Sequence, residues 1–156
     1  MESNDNLRAK ALKFLRDERI MFFATASPDG EPHVAAMLFA VDDNFTFTFV
    51  TREDTAKAKN LAGNPRGALS VGGWHGDMNV QAWGPVEQIA EAEEARSAMA
   101  RIADVNSGLE GFWPPLLRID AGGYAVFRLR PDRVRALDLT SRHVNEAEPP
   151  FTELIA

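Results

Sequence analysis

The sequence contains no cysteine, which excludes disulfide scaffolds, thiolate metal sites and cysteine nucleophiles. It has no apolar run of membrane-spanning length, and the segment Met1 to Asn6 is polar and acidic rather than a basic patch leading into an apolar stretch. A cytoplasmic, reducing location is therefore expected, with no membrane partner. Basic residues are also scarce: 17 Lys and Arg against 23 Asp and Glu give a net charge of −6. That balance argues against broad contact with a nucleic-acid backbone, which needs clustered cations. A small anion would have to be held locally, so the positions of the few cations carry information. No serine-nucleophile elbow, phosphate-binding Walker loop or His-Glu-x-x-His sequence occurs. His33 and His75 lack histidine or carboxylate neighbours at ligand spacing and His143 lies in the tail, so no metal site is expected.

What is present is an ordinary globular composition, 45% hydrophobic and 26% charged, with ten Phe and three Trp. Over 156 residues this predicts one folded unit, 1–156, with a polar C-terminal tail over 143–156 anchored near Phe151. Leu7, Ala11, Phe14 and Leu15 recur at helical spacing and predict an amphipathic helix of about three turns. Met21 to Thr25 reads as a strand closed by the turn Ser27-Pro28-Asp29-Gly30, where proline sets φ and glycine admits a positive one. The return strand spans His33 to Val41, and after Asp42-Asp43-Asn44 the alternation Phe45, Phe47, Phe49 completes an expected three-stranded meander with a phenylalanine face toward the core.

Further strands are predicted over Gly67 to Val71 and Met78 to Gly84, the latter continuing past Gly84-Pro85 to Ile89. A helix follows over Glu91 to Ala103, and Tyr124 to Leu129 with Val134 to Leu139 reads as a final strand pair around Arg130-Pro131-Asp132. The class is mostly β, an antiparallel barrel with peripheral helices.

The strand end at Thr51 running into a helix near Thr55 is the best anion site in the sequence. A helix start offers unpaired N–H groups and a positive dipole end, to which Thr51, Arg52, Thr55 and Lys57 add donors and charge. The same residues would equally serve as a simple cap with Lys57 in solvent, and Glu53 and Asp54 would oppose a bound anion.

Four ordered blocks, Phe22 to His33, Phe47 to Thr51, Thr55 to Leu61 and Asn64-Pro65-Arg66, resemble the pyridoxamine 5′-phosphate oxidase-like flavin-binding split barrels. The resemblance implies a Greek-key-like split barrel with FMN as cofactor. It implies that Ala35, Ala36 and Met37 lie along the flavin, that Thr51, Arg52, Thr55 and Lys57 surround its phosphate, and that the amide of Asn79 or Gln81 approaches the ring. It also implies a homodimer with flavin sites at the interface, where the aromatic segment around Phe112 and Trp113 would cover the interface or the neighbour's ring. The expected activity is FMN-dependent two-electron oxidoreduction of a small molecule with no assigned catalytic base. A non-enzymatic flavin or haem binder in stress response, or a deazaflavin-dependent reductase, are the alternatives. Departures are specific: Ala35 and Ala40 stand where the oxidase proper has phosphate-reaching arginine and lysine, and its C-terminal Trp and Arg signature is missing, so vitamin B6 oxidation is not expected.

Overall fold

The structure is a computed structural model that describes residues 3–73, 78–108, 123–140 and 151–156. Trp113, Phe112, His75 and His143 lie outside these residues. The chain begins with α1 (Asn4–Asp17), whose N-cap Ser3 accepts a hydrogen bond from Asn6 N, and Leu7, Ala11, Leu12 and Leu15 form its buried face. The expected stripe is thus seen, with Phe14 only partly buried at its rim.

The strands are β1 (Ile20–Ala26), β2 (Pro32–Leu38), β3 (Ala40–Val41), β4 (Phe47–Arg52), β5 (Arg66–Gly72), β6 (Met78–Gln88), β7 (Tyr124–Leu129), β8 (Arg133–Asp138) and β9 (Thr152–Ile155). Helix α2 (Ala56–Gly63) follows β4, and α3 (Ala92–Val105) follows β6. All pairings among these strands are antiparallel, in the order β2-β1-β5-β6-β7-β4-β3, with β8 added to β6 and β9 to β8. The result is a mostly β half-barrel with peripheral helices, the split-barrel fold.

Four local features differ from the sequence reading. The strand expected over His33 to Val41 divides at Phe39: β2 pairs with β1, whereas β3 pairs with β4. Met37, Leu38, Phe39 and Ala40 are all buried at this crossing, so the chain changes sheets through the core instead of forming a plain meander. Phe45 precedes β4 rather than opening it. Its φ of 59° lies in the left-handed region, in a turn where the Asp42 carboxylate accepts hydrogen bonds from Asn44 N and Thr46 N. That conformation is costly for a bulky residue, and full burial of the ring beneath the Arg8 guanidinium offsets it.

Next, β7 and β8 do not pair with each other: β7 joins β4 and β6, while β8 joins the other half of β6. Gly84 makes this split feasible. A Cβ there would sit 2.7 Å from Asp132 N and 2.8 Å from Arg130 O, so the connecting turn crosses β6 where no side chain stands. Finally, the last residues of the expected polar tail form β9 on β8, and the Arg135 guanidinium lies 4.3 Å from the Phe151 ring centre.

The main core lies inside the barrel and includes Phe23, Phe45, Phe47 and Phe49, each fully buried. A smaller cluster of Ile89, Ala98 and Val126, with Val50, Ala95 and Met99 against it, seats α3 on the outward face of β4 and β7. Helix α1 is fastened separately, through Lys10 to the buried Asp138 on β8. Burial pushes the Asp138 pKa up, but hydrogen bonds from Lys10, the Thr140 hydroxyl and Thr140 N outweigh it and hold it at about 2, against 3.8 for an ordinary aspartate. A depressed carboxyl pKa stabilises the folded state above the unfolded value, and that contribution is lost as pH falls through 3.8 toward 2. Asp138→Asn should therefore cost about 1–2 kcal/mol at neutral pH, allowing for the partly solvated Lys10. Urea midpoints measured from pH 6 downward should converge for wild type and variant as the acid limit is approached.

Candidate functional site

Strand β4 ends and α2 begins within four residues, and this junction forms one wall of a cleft of about 160 Å³. Thr55 is the N-cap of α2, its backbone extended at φ −80° and ψ 155°. Its hydroxyl accepts from Ala58 N at 3.3 Å and donates to Arg52 O at 2.9 Å. Because that single proton is used, the 3.1 Å contact between the Thr51 and Thr55 hydroxyls is donated by Thr51. The capping role the sequence allowed is thus the one Thr55 performs, and it leaves the first-turn N–H groups of Ala56 and Lys57 outside the cap.

The two cations at the junction differ. Arg52 is exposed and forms a two-pronged pair with Asp54, Nε to Oδ1 at 2.9 Å and Nη2 to Oδ2 at 2.6 Å. The hydrogen bond to Asp54 raises the arginine pKa, and the same bond lowers that of Asp54. Lys57 is half-buried, has no ion-pair partner among the described residues, and its pKa is pushed down by burial alone. It is a partly desolvated cation without a counter-charge among the described residues. An anion in the cleft would supply the missing charge.

The rest of the lining comes from β2, β4, α3 and β7. Ala36, Met37, Leu38, Val50, Ile102 and Tyr124 line the cleft together with Thr51, Arg52, Thr55 and Lys57. The structure therefore brings Ala36 and Met37 to the same cavity as the junction residues. Ala35 instead packs against the barrel core. Leu38, Val50, Ile102 and Tyr124 were not singled out by the sequence. Tyr124 reaches the site because β7 pairs with β4 in a register that sets it opposite Arg52.

Asn79 and Gln81 do not line this cleft. Both are half-buried and, two residues apart on β6, share one face of the sheet. Asn79 Nδ2 donates to Ser70 Oγ at 3.0 Å and to Val71 O at 3.1 Å. Gln81 Oε1 accepts from Arg135 Nε at 2.9 Å and Nη2 at 2.8 Å. Cross-strand partners run in a row from Ala36 to Phe22, Ser70, Gln81 and Arg135. Three strand spacings, about 14 Å, thus separate Gln81 from Ala36 of its own chain.

Among the described residues there is no cluster of His, Asp or Glu that could hold a metal ion, and no helix long and apolar enough to cross a membrane. The donor set at the cleft, an ammonium and helix-start N–H groups beside an apolar wall, fits a molecule with a phosphate end and an apolar body.

Comparison with known proteins agrees with this architecture. The family model described as pyridoxamine 5′-phosphate oxidase matches residues 7–138. A pyridoxine/pyridoxamine 5′-phosphate oxidase of Pseudomonas paraeruginosa is 30% identical over 115 residues, 74% of this chain and 53% of its own. That of Gluconobacter oxydans is 33% identical over 96 residues, 58% of this chain and 48% of its own. The chain thus spans about half the length of these relatives.

Among solved structures, a conserved hypothetical protein of Mycobacterium tuberculosis, Rv2991, superposes with a TM-score of 0.69 at 24% identity, over 90% of this chain and 91% of that one. A heme binding protein from Mycobacterium smegmatis gives 0.69 at 20%, over 91% and 57%. General Stress Protein 26 from Bacillus anthracis gives 0.64 at 18%, over 94% and 98%. At these identities the structural likeness speaks to fold alone, whereas the family model covers most of the sequence. The chain belongs to the pyridoxamine 5′-phosphate oxidase family of split-barrel proteins.

Proposed function

We propose that this protein binds FMN, with the phosphate at the start of α2 and the ring along β2, and that it acts as a flavin-binding protein rather than as a turnover enzyme. The observation that carries the reading is Lys57, a half-buried ammonium with no described counter-charge at a helix start, facing an apolar wall. When bound, FMN supplies the redox chemistry, and the protein orients and tunes it. The residues of this chain hold the phosphate through Lys57 and the N–H groups of Ala56 and Lys57, while Ala36 and Met37 form the packing surface.

Binding without catalysis is favoured over an FMN-dependent oxidoreductase because the solved structures that share this fold include a heme binding protein and a general stress protein. A haem-binding reading draws on the fold shared with the M. smegmatis protein. No described histidine lines the cleft, and its lysine and helix-start N–H groups suit a phosphate, so FMN is the preferred ligand.

The cleft is small against the several hundred Å³ of a usual cofactor site. We infer that a second copy of the chain completes it. Phe22 and Val34 are 52% and 63% exposed on the sheet face that carries Gln81, an apolar surface suited to burial in a two-fold dimer. In that arrangement Asn79 or Gln81 of the partner subunit, and Trp113, would approach the flavin.

Two measurements test the reading. The chromophore released from purified protein should be FMN, identified by mass spectrometry, and the bound flavin should not be turned over with NADH or NADPH. Haem or a deazaflavin as the bound group would contradict the cofactor, and steady turnover would restore the oxidoreductase. Light scattering should give a dimer, and a monomer that still binds FMN would remove the shared site.

A further inference from the structure

A second cleft, larger than the one beside Lys57, lies apart from it. It measures about 260 Å³ and opens further along the outward face of the same strand pair, where Thr48 stands opposite Arg128. The Arg52–Tyr124 pair lies four residues away along β4, about 13 Å. Three guanidinium groups converge on this second cleft: Arg101 from α3, and Arg128 and Arg130 from β7 and the turn after it.

The surrounding carboxylates fix these groups without using them up. Glu87 and Glu94 take Nε and Nη1 of Arg128, and Glu87 also takes Nη1 of Arg130 at 2.6 Å. Those bonds leave Nη2 of Arg128 and two nitrogens of Arg130 open among the described residues. Asp42, at the rim, spends a carboxylate oxygen on its own turn, accepting from Asn44 N and Thr46 N at 2.9 Å each. Arg101 makes no ion pair among the described residues. Three cations therefore face three carboxylates, two of them engaged in holding Arg128 and Arg130 and the third, Asp42, tied into its own turn, and the open guanidinium nitrogens are what the cleft offers a ligand.

We propose that this cleft is a second ligand site, selective for a small, multiply charged oxyanion of the phosphoryl or carboxylate class. Its recognition surface is Arg101, the open edge of Arg128 and Arg130, with Thr48 beneath. The glutamates act as positioning residues that set the guanidinium planes, so the arginines need little reordering on binding. The site is independent of FMN binding beside Lys57.

Titration calorimetry with pyrophosphate and with citrate, at matched ionic strength and with FMN present at saturation, tests it. Saturable binding of at least one anion is expected, and the tighter of the two names the ligand chemistry. Arg101→Gln should weaken that anion about tenfold or more, the loss of one charge-assisted hydrogen bond, while leaving FMN affinity unchanged. Arg101 is exposed, so the variant should keep the wild-type melting temperature. Absence of saturable binding by either anion would overturn the proposal. So would unchanged affinity in Arg101→Gln, or anion binding that is lost in Lys57→Ala instead.

Discussion

Lys57→Ala should weaken FMN binding by about 10-fold to 150-fold, the range set by 1.5–3 kcal/mol for a hydrogen bond to a charged group. Riboflavin, which lacks the phosphate, should lose little. The difference follows from the state of the ammonium: it is partly desolvated, unpaired among the described residues and pushed below its usual pKa by burial. Arg52 should behave differently although it lines the same cleft. Its charge is already met by the Asp54 carboxylate in a two-pronged pair. Removing the two together, Arg52→Ala with Asp54→Ala, takes away a neutral unit and should change FMN affinity by well under the Lys57 effect. Fluorescence titration of each apoprotein with FMN and riboflavin measures both. Equal losses for the two flavins in Lys57→Ala would detach the phosphate from this residue.

Phe49→Ala should cost about 3–5 kcal/mol of stability, a large share of what a protein of this size has. The ring is fully buried at the centre of β4, with its centre 4.6 Å from that of Phe23 on β1 and 5.7 Å from that of Phe127 on β7. It therefore bridges the two halves of the split barrel, and truncation leaves a cavity lined by two other rings that cannot both close on it. The drop should appear in the denaturant midpoint with little change in the slope. A loss under about 1 kcal/mol would mean that the core repacks around the gap.

Features set by neighbouring residues were legible in the sequence. The first hairpin turn is one: Gly30 adopts a φ of 87°, and Ser27 Oγ accepts from Glu31 N at 3.0 Å, as the Ser-Pro-Asp-Gly turn implied. The junction from Thr51 to Lys57 is another, because a strand end, a cap and a helix start lie within seven residues of chain. Features set by distant partners were not. Nothing local at Phe39 says that the strand changes sheets there, and nothing in residues 130–132 says that the turn crosses over Gly84.

The site divides in the same way. Tyr124 joins it through a cross-strand register with Arg52, and Ile102 through the seating of α3, whose apolar stripe reads from sequence only as core. Arg52 and Lys57 both line the cleft, and only geometry shows that Asp54 occupies the Arg52 fork while Lys57 has no ion-pair partner among the described residues.

The most direct test is an equilibrium titration of the flavin-free protein with FMN, followed by fluorescence quenching and repeated with riboflavin. Saturation at one FMN per chain, with riboflavin bound at least about tenfold more weakly, is expected if the start of α2 holds the phosphate. No saturable binding of FMN, or equal affinity for the two flavins, would contradict it.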